Sequence, residues 1–534
     1  MSVTCGAAVA LILERFGVRR VFGIPGNHTL ELYRGLAASR IEHVTTRHEQ
    51  GAAFMADGYA RASGCPGVVM LISGPGLLNA ATAIAQALSD SVPMLVITAV
   101  APRAQMGKGL GLLHDLPDQS SLAAGFCRQS FTVHEPDALS GTFVRAWREM
   151  LHGRPGPVHV QIPLDVMSSP WSGTYPDVPA RKPAQVDVTS LIEPLEDSRE
   201  PMLVIGGGCA DAGDVAELAE RLDAPVVNTV GAKGVLPRQH PLAVGGSPSL
   251  PAIQRALARA DVVLALGTEL GETDYALLPA DGSGERWRGT LLRVDIDGMQ
   301  LQRNRAADVA VCGDVQDVAR ALLDVLGPVD RRGADRATQL RSAVRAEHHY
   351  HDDLRTFFEA LQAAHEDLVL VGDSTRPTYY AAWMFETQAP RRYFHSASGF
   401  GTLGFALPAA FGAKLATSAP VAALIGDGGL QFTLPELATG AQCGVCVPVI
   451  VWCNSGYEEI SHSLNAAGVG DETAQVSTPD LEAVAAAYNL PFAAPSSCAE
   501  LTACLVQALA ATRPSIIRMD QNDFVKSPSG EWYV

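Results

Sequence analysis

The sequence predicts an α/β protein built from three doubly wound parallel-sheet domains. Three observations carry that expectation. Short β-branched runs alternate with Ala-rich stretches along most of the chain, the pattern of buried parallel strands crossed over by helices. Two polar or Pro- and Gly-rich interruptions cut this rhythm into three blocks. The 534 residues also exceed the size, about 250 to 300 residues, at which a single hydrophobic core stops growing.

The first block, residues 1–170, contains the strand-like runs VVMLIS and MLVITAV. The stretch SSPWSGTYPDVPARKPAQ, Ser168 to Gln185, reads as a linker. The second block, residues 186–327, carries PMLVIGGG, APVVNTV, DVVLALG and LLRVDID. It fades near Leu326 into a polar, helix-prone segment rich in Arg and His, so a boundary is expected between Gly327 and His351. The third block, residues 351–534, resumes the alternation with LVLVGD, APVAALIGDGG, GVCVPVIVWCN and PSIIRM.

Composition excludes several function classes. Forty basic residues against 57 acidic ones give a formal charge of -17, which opposes polyanion binding and leaves no basic stripe for nucleic acid. No apolar run reaches the roughly 18 residues a membrane span needs. The opening MSVTCGAAVALILERFG has no basic leader and meets Glu14 early, so a cytoplasmic location is expected. Ten scattered cysteines read as reduced thiols, and the lone pair Cys443 and Cys446 as ordinary packing rather than a zinc or redox centre.

The strongest chemical signal is Gly426-Asp427-Gly428-Gly429, directly after the strand-like VAALI and before the helix-forming LPELATGAQ. An aspartate at a strand end can reach a ligand over the sheet's carboxyl edge, and flanking glycines let backbone amides approach phosphate. After Gly428 come 24 residues and then Cys453 and Asn454, again just past an apolar strand. A carboxylate and a carboxamide oxygen delivered together are hard ligands suited to magnesium completed by phosphate oxygens.

This spacing resembles the signature of the thiamine-diphosphate enzymes, GDG followed at such a distance by paired asparagines. Cys453 stands at the first asparagine position, and Asn454 matches the usual metal ligand. The resemblance implies Asp427, Asn454 and the backbone carbonyl of Gly456 as magnesium ligands, with Gly426, Gly428, Gly429 and Tyr457 against the cofactor.

A second segment, Arg47-His48-Glu49 through Tyr59-Ala60-Arg61, is similar to the pyrimidine-binding domain of the acetolactate synthase and 2-oxo-acid decarboxylase superfamily. The match implies that Glu49 activates the cofactor: a carboxylate on the pyrimidine ring nitrogen favours the tautomer that deprotonates the thiazolium carbon. The order of further motifs follows the family. VFGIPGN brings Pro25 and Gly26, SGPGLLN brings Asn79, GDST brings Ser374 and Thr375, and SGFGTLGFALP brings Gly401 and the bulky Leu403 that wedges the cofactor. The blocks then correspond to pyrimidine-binding, central and diphosphate-binding domains. In the family Glu49 and the Asp427 site come from different subunits, which implies a homodimer or homotetramer with its active site at the interface.

The implied substrate is a small 2-oxo acid. The segment after DVVLALG lacks the arginine, and SGYEEISHS lacks the tryptophan, typical of acetolactate synthases, which disfavours the synthase reaction and its FAD; Gly206-Gly207-Gly208 is likewise short of a GxGxxG fingerprint. PGNHTLELYRGL, LGTELGETDY and LHDLPDQ resemble the decarboxylases of 5-guanidino-2-oxopentanoate. A guanidinium wants carboxylate partners, and Glu269, Glu272, Asp274, Glu458 and Glu459 are candidates. His28 and His114, with Asp115 and Gln119 beside the latter, occupy loops that face the thiazolium in related enzymes, and His28, His114 and Gln119 are the expected catalytic partners of Glu49. Two alternatives stay open: a carboligase that joins the same intermediate to a second carbonyl compound, and an inactive binding paralogue.

Overall fold

A computed structural model describes residues 3–178, 183–272, 287–347 and 352–525. Its three sheets are all parallel. The first orders strands β1 (Arg20–Gly23), β2 (Glu42–Thr45), β3 (Gly67–Leu71), β4 (Met94–Val100), β5 (Gln129–Thr132) and β6 (Pro157–Pro163) as β2-β1-β3-β4-β6-β5. The central sheet holds β7 (Met202–Ile205), β8 (Val226–Asn228), β9 (Val262–Leu266), β10 (Thr290–Asp295) and β11 (Val309–Cys312) in the order β11-β10-β9-β7-β8. The last contains β12 (Val369–Gly372), β13 (Tyr393–His395), β14 (Val421–Gly426), β15 (Pro448–Cys453), β16 (Phe492–Ala493) and β17 (Ser515–Asp520), ordered β13-β12-β14-β15-β17-β16.

The first and last sheets therefore share one winding. In each, the chain moves outward from its first strand, returns to the other side of it, and leaves a crevice at the carboxyl ends, where open α/β sheets bind ligands. The strands legible in sequence are the fully buried central ones, such as β3, β4 and β9. The short strands β2, β5 and β11 sit at or beside sheet edges, half exposed, and carry too little apolar pattern to stand out.

The Arg-rich segment at the second boundary forms a helix, Gly333–Glu347, whose Ala337 and Val344 pack into the central domain's core. Arg331 ties its start there through the carbonyls of Leu195, Ser198 and Leu222. Among the described residues no helix is long and apolar enough to cross a membrane.

The first and last domains meet in one shared hydrophobic cluster. Helix Glu49–Ser63 crosses helix Ala406–Ala416 at two glycines. A Cβ on Gly58 would run into the Ala409 carbonyl, and one on Gly412 into the Met55 carbonyl, so only glycine permits this approach. Phe54 and Phe405 close the seam edge to face at 5.3 Å.

Candidate active site

Register builds the first cluster. Gly426 pairs with Trp452 and Cys453 with Asp520, so β14, β15 and β17 end side by side and deliver Asp427, Asn454 and Gln521 to one edge. Asp427 is 2% exposed. Its Oδ1 accepts the Gly428 amide at 2.9 Å, and its Oδ2 accepts the Ser455 amide at 2.9 Å and the Thr478 hydroxyl. Thr478 lies 51 residues on, in a loop without a motif, and sequence reasoning missed it. Tyr457 packs over the Gly-rich turn so closely that a Cβ on Gly428 would meet its ring.

Asn454 donates its Nδ2 to Glu458 Oε2 at 3.0 Å. Its carboxamide oxygen, the Asp427 carboxylate and the Gly456 peptide oxygen, all in the segments that follow β14 and β15, are hard oxygen donors of the kind that fits magnesium. Among the described residues no group of three His, Cys, Asp or Glu converges as a metal site. Cys453 offers no competing ligand: burial pushes its thiol up to about 12, and Sγ donates to the Val451 carbonyl. The other cysteines are free, and Cys446 donates to the carbonyls of Ala508 and Leu509.

Ser374 and Thr375 follow β12 beside the buried Asp373, which accepts the amides of Ser374, Gly404 and Ala406 at 3.0, 3.2 and 2.9 Å. Burial raises its carboxyl to about 6. These bonds fold the Gly401–Leu403 segment over the strand end. Gly401 has φ +71° with open space around its Cα, and Leu403 is half-buried. Between them Thr402 gives its amide and hydroxyl to Gln86 of the first domain, at 3.2 and 2.8 Å.

The second cluster lies in the first domain. Glu49 opens its helix behind the N-cap His48, half-buried, and Asn79 Nδ2 donates to its Oε2 at 3.0 Å. Glu436 of the last domain, 1% exposed, accepts the amides of Arg47 and His48 and so fixes the turn that aims Glu49. Pro25 and Gly26 occupy the loop after β1, across the crevice from Ser73 and Gly74 after β3.

His28 and His114 meet edge to face at 5.2 Å. His28 Nδ1 shares a hydrogen with Ser73 Oγ at 2.8 Å, and burial together with His114 holds its pKa below the ordinary histidine value. His114 adopts φ 60°, and its Nδ1 is buried without a hydrogen-bond partner. A buried, unsatisfied ring nitrogen beside a crevice is a group built to meet something else.

Two of the candidate side chains already have partners within the fold. Gln119, read as a catalytic partner, is 3% exposed and engaged inside the fold: Oε1 accepts the Gly74 amide, while Nε2 serves Thr98, Ala99 and Gln161. Glu458, read as a guanidinium partner, already accepts from Asn454 and Gln521 and pairs with Arg376. Of the other acids, Glu269 pairs with Arg154, Glu272 is exposed, and Asp274 lies outside the described residues. Glu459 is half-buried and makes no hydrogen bond among the described residues; burial raises its carboxyl, with His462 pulling the other way.

Glu49 and Asp427 belong to different domains, and among the described residues no hydrogen bond or ion pair joins these two side chains directly. A cavity of about 700 Å³ beside Asn454 is lined by last-domain residues, among them Thr478, Asp480, Phe492 and Arg518.

Three family models match the chain. The thiamine pyrophosphate enzyme N-terminal TPP binding domain matches residues 3–122, the central domain 188–322, and the C-terminal TPP binding domain 373–519. The chain is 40% identical over 517 residues to the "Probable 2-ketoarginine decarboxylase AruI" of Pseudomonas aeruginosa, covering 94% of this chain and 91% of that protein. It is 31% identical over 477 residues to the "Probable acetolactate synthase large subunit" of Methanocaldococcus jannaschii, covering 84% and 79%. To the "Acetolactate synthase" of Arthrospira platensis it is 33% identical over 487 residues, covering 84% and 82%.

Proposed function

The chain belongs to the thiamine pyrophosphate enzymes, and from that premise we propose that it uses thiamine diphosphate and magnesium to release carbon dioxide from a 2-oxo acid. The observation that carries the reading is that Asp427 and Asn454, with Gly456 two residues on, follow the ends of adjacent parallel strands in a chain that also presents Glu49 at a helix start. When bound, thiamine diphosphate supplies a carbon nucleophile and an acceptor for the electron pair that the departing carboxylate leaves behind.

The chain's own residues divide the remaining work. Asp427, Asn454 and Gly456 hold the cation; Ser374, Thr375, Gly426, Gly428, Gly429 and Tyr457 shape the phosphate seat, and Gly401 and Leu403 set the cofactor's bend. Pro25, Gly26 and Asn79 line the other half. Glu49 keeps one carboxylate oxygen on Asn79 and has the other available to a ring nitrogen. His28, whose pKa burial and His114 hold below the ordinary histidine value, and His114, whose Nδ1 has no hydrogen-bond partner among the described residues, are the pair suited to handle the carboxylate and the product proton. Gln119 supports their loop through Gly74.

We place the chain in a homodimer or homotetramer, the assembly its family membership supports, with one copy's Glu49 facing another's phosphate seat. We place the enzyme in the cytoplasm and assign it no FAD. For the substrate we propose a guanidino 2-oxo acid. Support comes from the relative named as a 2-ketoarginine decarboxylase and from Glu459, a half-buried carboxylate five residues after Asn454 that makes no hydrogen bond among the described residues.

The test is a panel of 2-oxo acids assayed for carbon dioxide with product analysis, after a thermal shift with thiamine diphosphate and magnesium. A ligand at 100 times its dissociation constant adds about 2.7 kcal/mol of stability. One aldehyde per carbon dioxide, fastest with the guanidino acid, is the expected result. A coupled product from pyruvate would replace this reading by a carboligase, and no thermal shift by a binding paralogue.

A further inference from the structure

Four side chains at the carboxyl edge of the last sheet form a line whose hydrogen-bond polarity runs one way. Trp452, in β15, is fully buried, and its indole N–H donates to Gln521 Oε1 at 2.8 Å. An indole nitrogen can only donate, so Gln521 must turn its oxygen to Trp452 and its NH2 away. That Nε2 donates to Glu458 Oε1 at 2.7 Å. The other oxygen, Oε2, accepts Asn454 Nδ2 at 3.0 Å. Arg376, 9% exposed, lies 3.5 Å from Glu458 Oε1 and balances the carboxylate's charge.

Glu458 therefore meets a donor on each side and answers with an acceptor on each side, which only a carboxylate does without a proton. The consequence falls on Asn454. Its NH2 is committed to Glu458, so the group it has left for the strand-end seat is its carboxamide oxygen. A carboxamide turned the other way would aim N–H bonds at a cation.

We propose that Glu458, oriented through Gln521 by Trp452, is a positioning residue that fixes the amide of Asn454 oxygen-first toward the magnesium seat. The inference rests on the proposed reading of Asp427, Asn454 and Gly456 as that seat. It concerns how the ligand is held, and outer partners of this kind typically alter metal affinity 10- to 100-fold.

Exchanging atoms along the line tests it. In Glu458→Gln the new side chain has one acceptor and one donor. Gln521, held by Trp452, claims the acceptor, so the new NH2 faces Asn454 and turns its carboxamide around. In Glu458→Met the same charge is lost, but no donor is imposed and Asn454 can keep its oxygen on the seat. In the double variant Glu458→Gln with Gln521→Glu, the carboxylate moves to position 521. There it accepts from both Trp452 and the new amide at position 458, whose oxygen is left for Asn454.

The readout is the magnesium dissociation constant of the full-length protein at saturating thiamine diphosphate, by calorimetric titration with MgCl2, beside the melting temperature without metal. Magnesium affinity is expected to fall about 10- to 100-fold in Glu458→Gln, less in Glu458→Met, and to recover in the double variant. A merely structural role predicts the reverse order for the single variants, because methionine forfeits both hydrogen bonds. Equal affinities in Glu458→Gln and wild type, Glu458→Met weaker than Glu458→Gln, or a double variant no better than Glu458→Gln would each overturn the proposal. Should Glu458→Gln fail to fold, the double variant matching wild type upholds it, and the double variant binding magnesium as poorly as Glu458→Met overturns it. If wild type binds neither magnesium nor thiamine diphosphate, the functional reading falls and the inference with it; if wild type binds both and the variants do not differ, the inference alone falls.

Discussion

Replacing Gln119 by leucine separates support from chemistry. In the structure Gln119 bridges the first domain's crevice loop to the sheet: Oε1 accepts the Gly74 amide at 2.9 Å, and Nε2 lies 3.0 Å from Thr98 Oγ1 and 3.1 Å from Gln161 Oε1. Leucine fills the same space with no polar atom. Thr98 keeps His159 as a partner at 2.8 Å, so the groups that lose their bond to Gln119 are the Gly74 N–H, Gln161 Oε1 and the Ala99 carbonyl, all buried. Each buried group without a partner costs about 1–3 kcal/mol, so with the amide and Gln161 bare and the carbonyl short of one bond Gln119→Leu should lose at least about 2–6 kcal/mol of stability. Gly74 starts the helix that carries Asn79 to Glu49, and it abuts the His114 backbone, so turnover should fall together with stability. Urea denaturation followed by circular dichroism, with carbon dioxide release on the same preparations, measures both. Wild-type stability combined with lost turnover would refute the supporting role and return Gln119 to the substrate.

Gly58→Val should destabilise the protein by at least the roughly 1–3 kcal/mol typical of an overpacked core, since its Cβ meets the Ala409 backbone; an unchanged melting temperature would contradict the glycine seam. Asp427→Asn should abolish the thermal shift with magnesium and thiamine diphosphate while the protein stays folded, and a retained shift would remove Asp427 from the seat. Stability should also fall as the pH drops through 5. Burial depresses His43 to about 4 and His159 and His395 to about 3, so all three bind a proton at pH 5 only when unfolded. Asp57 and Asp373, raised to about 6 by burial, bind theirs at pH 5 only when folded. For these five groups the unfolded state holds three protons against two, a loss of about 1.4 kcal/mol per pH unit on acidification. A flat stability profile between pH 4 and 6 would count against it.

Much was legible in sequence because it is local. A buried parallel strand announces itself by an unbroken β-branched run, and Asp427 and Asn454 each stand directly after one, so their position at a sheet edge follows from chain order. The same holds for Glu49, one residue beyond an N-cap at a helix start. The three-domain count and the α/β class needed nothing beyond composition and period.

What the tertiary structure alone decided is how those groups are held. Glu436 reaches the amides of Arg47 and His48 across 389 and 388 residues of chain, Gln86 reaches Thr402 across 316, and Gln521 reaches Glu458 across 63. None of these partners has a spacing that a helix or strand period could reveal. Glu458 and Gln119 looked in sequence like groups waiting for substrate, because residue type reports what a side chain can bond and not whether the fold has already bonded it. Hydrogen bonds saturate within about 3 Å, and which atoms come that close is settled only when separate sheets pack.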